Sequence, residues 1–252
     1  MPSASEIRIL ENPADLFRAA AVEFSKLANE AVRARGRFCV ALSGGSTPKG
    51  LYAQLATGVV PVSWEKICFF WGDERHVPPD DSESNYRMAN EALLSKVPIL
   101  PENVFRILGE EKDAQVAAKK YEEKLVKFFD LKEGDLPRFD LILLGMGPDG
   151  HTASLFPASP ALQEKRRLVV ANWVEQFHTD RITLTLPVLK NAAEVIFLVS
   201  GDEKSGILRQ VLEGKAGQFP SQLVRPKDGK LIWLLDKPAA SKLGATTARP
   251  QI

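Results

Sequence analysis

Only three histidines occur in 252 residues, and one of them, His151, stands two places after a carboxylate, Asp149, in a turn punctuated by Gly145, Gly147 and Gly150. An imidazole beside a carboxylate is suited to taking a proton from water near neutral pH, the carboxylate fixing the tautomer of the ring. The turn follows the apolar run 139–144, too short for a core helix and rich in branched residues, which reads as a strand buried on both faces. Turns at the carboxyl ends of such strands are where open α/β sheets place their ligands. The three glycines also match the spacing of a dinucleotide-binding turn, but that turn opens into a long helix, and Pro157 and Pro160 restrict any helix here to a turn or two. The plain alternative is a sharp turn carrying a surface histidine. The Asp-Gly-His-Thr cluster directly after a buried strand favours a site instead.

Three further loops leave strand-like runs with polar side chains. Residues 37–42 run into Ser43, Gly44, Gly45, Ser46 and Thr47, with Pro48 expected to open a helix through Leu55. Small residues there offer free N–H groups and hydroxyls to a phosphate, or they simply cap the turn. No Gly-Lys-Ser/Thr follows, so this is no Walker loop, and neither serine lies in a G-x-S-x-G elbow. Residues 67–71 end in Gly72, Asp73, Glu74, Arg75 and His76. Either one carboxylate caps this loop while Arg75 pairs with the other, or the charges face a ligand. Residues 194–200 end in Gly201, Asp202, Glu203 and Lys204, ahead of a helix over 205–213. A lysine at a helix N-terminus opposes the macrodipole, so an anion lies between the two or the side chain reaches solvent.

The elements that must position these loops alternate strand and helix. A strand over 6–10 precedes a helix capped by Asn12, started by Pro13 and stopped by Gly36. Helices are expected over 85–96, 113–129 and 238–243, and strands over 103–108, 167–172, 182–186 and 231–235. Arg181 stands at the entry to the strand over 182–186, and His178 before it is given no role. The alternation implies one α/β domain spanning residues 1–252, its sheet mostly parallel and covered on both faces. The four loops should then meet along one sheet edge.

Composition bounds the function. With 44% hydrophobic residues the chain can bury a large core, and 33 basic against 32 acidic side chains leave no global field for nucleic acid or an anionic membrane. An anionic ligand must therefore be held by a local cluster. Cys39 and Cys68 lie in apolar runs and fit no metal spacing, which suggests buried free thiols in a reducing compartment. The N-terminal stretch lacks a leader-like pattern and no apolar run is long enough to span a bilayer, so the expectation is cytoplasmic.

Taken together, the loops carry a resemblance over nearly the whole chain. ALSGGSTPKGLY from Ala41, FFWGDERHVPPDDSESNY from Phe69, FDLILLGMGPDGHTASLFP from Phe139, RITLTLPVL from Arg181 and FLVSGDEK from Phe197 resemble, in order and spacing, the 6-phosphogluconolactonase family. The resemblance implies a three-layer α/β/α sandwich with a mostly parallel sheet, shared with glucosamine-6-phosphate deaminases. It implies hydrolysis of 6-phospho-D-glucono-1,5-lactone in the oxidative pentose phosphate pathway, without metal or organic cofactor. It makes His151 the general base with Asp149 beside it, sets Ser43, Gly44, Gly45, Ser46, Arg181 and Lys204 around the phosphate, and puts Asp73 and Arg75 at the sugar end. The expected partner is the phosphosugar lactone alone, with no nucleic acid and no membrane, and the expected state is a monomer or small homo-oligomer. The nearest rival is deamination or isomerisation of an amino-sugar phosphate on the same fold. Those enzymes carry a glutamate five residues after the histidine, where this chain has Phe156. A non-catalytic sugar-phosphate sensor is the remaining alternative, although no base is missing from the motif.

Overall fold

The computed structural model describes residues 5–245 and Thr247. Asn12 accepts a hydrogen bond from Asp15 N–H and Gly36 adopts a left-handed conformation, so the first helix starts and stops where its end residues dictate. In chain order the elements are β1 (Glu6–Leu10), α1 (Pro13–Arg35), β2 (Phe38–Leu42), α2 (Ser46–Ala56), β3 (Ile67–Trp71) and β4 (Asp73–Arg75). There follow α3 (Asn85–Ala92), α4 (Ala114–Phe129), β5 (Leu141–Leu144), β6 (Val169–Val174), β7 (Thr179–Leu184) and α5 (Leu186–Leu189). The chain ends with β8 (Glu194–Val199), α6 (Ser205–Glu213), α7 (Pro220–Leu223), β9 (Lys230–Asp236) and α8 (Lys237–Ala240).

Six strands form one parallel sheet in the order β1-β9-β8-β5-β2-β3. Strands β2, β3, β5 and β8 are buried throughout, as their unbroken apolar runs require. Both faces are covered. Phe24 of α1 meets Phe38 at 5.3 Å on one face, while on the other Phe70 meets Phe128 of α4 at 5.0 Å and Phe139 at 5.3 Å. From β2 the chain moves outward to β3, then returns to β5 on the other side of β2 and continues through β8 to β9. The loops after β2 and β5 therefore diverge from neighbouring strands, which opens a crevice at the carboxyl ends of the sheet.

Beside element ends that shift by up to three residues, which place Arg181 within β7 instead of at its entry, the structure departs from the sequence expectations in four places. Strands β4, β7 and β6 form a separate antiparallel sheet of three, against which α4 packs. Residues 103–108 do not form a strand: Val104 makes a single bridge to Phe69, with Phe105 N–H donating to Phe69 O at 2.8 Å and the Phe105 ring stacked on Phe70 at 4.7 Å. The helix expected to end at Lys96 breaks at Leu93 into a tighter turn, where Ser95 Oγ donates to Asn90 O and competes with the helical ladder. Helix α2 begins at Ser46, so Pro48 is its third residue, a position whose N–H would have no intrahelical partner in any case.

Candidate functional site

The turn after β2 is fixed from behind. Tyr52 of α2 donates its hydroxyl proton to Ser43 O at 2.8 Å and accepts from Ser43 N–H at 2.9 Å, which pins the first residue of the turn to the helix that follows. Gly44 lies against Asn85, and a Cβ at 44 would overlap the Asn85 side chain. The N-cap of α2 is Gly45, at φ 103°, and it supplies no side-chain cap. The N–H groups of the first turn thus face the crevice uncapped, and Ser43 Oγ, buried at 4% exposure, has no partner among the described residues. Unfilled donors at a positive helix end are suited to an anion.

Across the crevice, the turn after β5 folds on itself. Gly147 N–H donates to His151 O at 2.9 Å, Gly150 N–H to Gly147 O at 3.1 Å, and Thr152 Oγ1 to Gly145 O at 2.8 Å. Asp149 Oδ1 accepts from His151 N–H at 3.1 Å and lies 2.5 Å from His151 Nδ1. Burial alone would raise the Asp149 carboxyl, but the hydrogen bond and charge of His151 hold it below the usual carboxylate range. An ionised Asp149 selects the Nδ1–H tautomer and leaves Nε2 as the basic nitrogen. The ring is flanked on two sides: it lies so close over Gly147 that a Cβ there would overlap it, and Phe156 lies against it with centroids 4.2 Å apart.

The charged triplet after β3 divides its labour. Glu74 is structural: its carboxylate accepts from the N–H groups of Arg75, Asn85 and Tyr86 and from Ser84 Oγ, tying β4 to the start of α3. Burial raises its carboxyl despite those donors. Asp73 accepts from Ser154 Oγ at 2.7 Å, which joins it to the chain leaving the His151 turn. Arg75 pairs with Glu83, not with its neighbours, and its Nε has no partner among the described residues.

Arg181 lies on β7 opposite Arg75, with its guanidinium 5.1 Å from the centre of the Phe177 ring. It is only 8% exposed and its Nε has no partner among the described residues; burial and then the charge of Arg75 lower its pKa. The fourth loop is anchored by Asp236, the fully buried end of β9, which accepts from Ser200 Oγ at 2.5 Å and from Gly201 N–H at 3.1 Å. This anchor brings Lys204 to the crevice.

Nine of the ten expected residues fall together, and eight of the nine wall one cleft of about 160 Å³: residues 43–46, Asp73, Arg75, His151 and Lys204. Asp149 is joined to that wall through His151. Arg181 stands one strand behind it, beside Arg75. Sequence reasoning missed Asn85, Ser154 and Asp236, which hold the loops. Their types match many loop and cap residues, and only the strand register brings them to the site.

A model of the family described as glucosamine-6-phosphate isomerases/6-phosphogluconolactonase matches residues 11–233. This chain belongs to that family. It is 44% identical over 215 residues to a 6-phosphogluconolactonase of Nostoc sp., an alignment covering 84% of this chain and 88% of the relative. The structure of 6-phosphogluconolactonase from Trypanosoma cruzi superimposes with a TM-score of 0.85 at 34% identity, covering 97% of this chain and 99% of that one. A monomeric glucosamine-6-phosphate deaminase, 22% identical, has the same fold at a TM-score of 0.78, covering 94% of this chain and 99% of that one. The α/β sandwich and the family thus agree with the resemblance carried by the loop motifs.

Proposed function

We propose that this protein hydrolyses 6-phospho-D-glucono-1,5-lactone to 6-phospho-D-gluconate, using water activated by His151. One observation carries the reading: an imidazole held by Asp149 at Nδ1 faces the same cleft as an uncapped helix N-terminus and Lys204. A base and an anion cradle in one cleft suit a substrate with a reactive carbonyl at one end and a phosphate at the other.

His151 Nε2 takes a proton as the water oxygen attacks C1. Negative charge develops on the carbonyl oxygen, and the unpartnered Nε–H of Arg75 or an N–H of the glycine turn stabilises it. The C1–ring oxygen bond then breaks and His151 returns the proton to the departing oxygen, leaving a C1 carboxylic acid that ionises. Residues 43–46 and Lys204 hold the phosphate so that C1 meets the water, with Arg181 adding positive charge from behind Arg75. Asp73 lines the sugar end. No metal or organic cofactor takes part in this scheme, and residues 1–252 act as one unit. No helix among the described residues is long and apolar enough to cross a membrane, and cytoplasmic action as a monomer or small homo-oligomer is part of the proposal.

A coupled assay with freshly generated lactone, corrected for spontaneous hydrolysis, tests the reading. Turnover of the lactone without ammonia release from glucosamine 6-phosphate is expected. The reverse result would transfer the protein to the deaminase branch, and no turnover of either would make it a sensor.

A further inference from the structure

His151 touches one group that the scheme above leaves unused. Phe156, five residues on, is 8% exposed, and its ring lies 4.2 Å from the imidazole centroid with the planes 32° apart. Phe177 backs it edge-on at 6.1 Å, and the Phe177 ring in turn carries the Arg181 guanidinium. The turn brings Phe156 back to His151 through the bridge between Thr152 and Leu155, so the contact is built by the fold of the turn itself.

We propose that Phe156 is a positioning residue for hydrolysis, holding the imidazole plane and stabilising through its π face the imidazolium that His151 becomes on taking the proton of water. This rests on the reading of His151 as the base. The face of an aromatic ring is electronegative, so a cationic ring tilted over it is attracted where a neutral one gains little beyond dispersion. The interaction therefore strengthens as charge develops, which accelerates the chemical step without tightening substrate binding. Asp149 acts on the same imidazolium through Nδ1, so edge and face are supported by different groups.

Replacing Phe156 with mono-, di- and trifluorinated phenylalanine keeps its shape while draining the π face. The turnover number is expected to fall stepwise along the series, to a total of about 2- to 30-fold, with KM unchanged. Phe156→Leu should fall at least as far. A flat series overturns the proposal even if the leucine variant is slow, because packing alone would then account for the loss. A series that moves KM instead of turnover also overturns it. His151→Ala separates the two readings: if that variant keeps its turnover the base assignment fails, whereas an inactive His151→Ala beside a flat fluorine series removes only the role of Phe156.

Discussion

The two ends of the parallel sheet treat buried charge in opposite ways. At the carboxyl ends, Asp73, Glu74, Asp149 and Asp236 all accept hydrogen bonds from nearby donors. Among the described residues, the unpartnered side-chain atoms there include the donors Trp71 Nε1, Arg75 Nε and Arg181 Nε and the hydroxyl of Ser43, which can donate or accept. At the amino end of β8 the pattern reverses. Glu194 is 4% exposed and its Oε1 has no partner among the described residues, so what is left over is an acceptor. A buried polar group without a partner destabilises the fold unless a ligand or water completes it. Donors left over in and beside one cleft suit an anion, which is why we read the carboxyl end as a phosphosugar site. A lone carboxylate elsewhere reads as a stability feature.

The largest test of this contrast is His151→Ala. Turnover should drop by about 10²–10⁴-fold, the range of general base catalysis, with KM and the urea midpoint nearly unchanged. A variant that also unfolds easily would show that the site end carries stability, and the contrast would fail.

Lys204→Ala comes next. A charge-assisted bond to phosphate is worth enough that KM should rise about 10- to 100-fold while turnover changes little. The loss should vanish with unphosphorylated gluconolactone. Equal losses on both substrates would move Lys204 from the phosphate to the reacting end.

How much of this was legible in the sequence differs between backbone and neighbours. Asn12, Pro13 and Gly36 mark their helix because caps act within a few residues, and the run 67–71 is a strand because a both-sides-buried strand must be apolar throughout. The His151 turn was readable for the same reason, its imidazole and carboxylate being two residues apart. Pairings between distant segments were not. Nothing local states that residues 73–75 leave the main sheet to pair with 181–183, and it is this register that puts Arg181 behind Arg75 instead of beside Lys204. Glu74 and Asp73 are adjacent and chemically alike. Only the arrival of the α3 N-terminus, with the N–H groups of Asn85 and Tyr86, makes one a cap and leaves the other at the cleft.

The smallest effect belongs to the other end of the sheet and concerns stability alone. Burial pushes the Glu194 carboxyl up to about 7, with Glu23 adding to the shift and Lys230, Lys26 and Arg8 opposing it. The unfolded chain releases this proton near the ordinary 4.5. Between those values the native state binds more protons than the unfolded state, so stability falls as pH rises through the window and levels off above it. Glutamine keeps the shape of the protonated acid and cannot ionise. Glu194→Gln should therefore flatten the pH profile of the urea midpoint and gain about 1 kcal/mol on the wild type between about pH 5 and pH 8, the nearby cations and solvent screening the rest. Turnover should be untouched, because the residue lies at the opposite end of the sheet from the cleft. A profile that keeps the wild-type slope would mean that Glu194 is already satisfied in solution, and the two ends would then differ in the sign of their charges but not in how well they are paired.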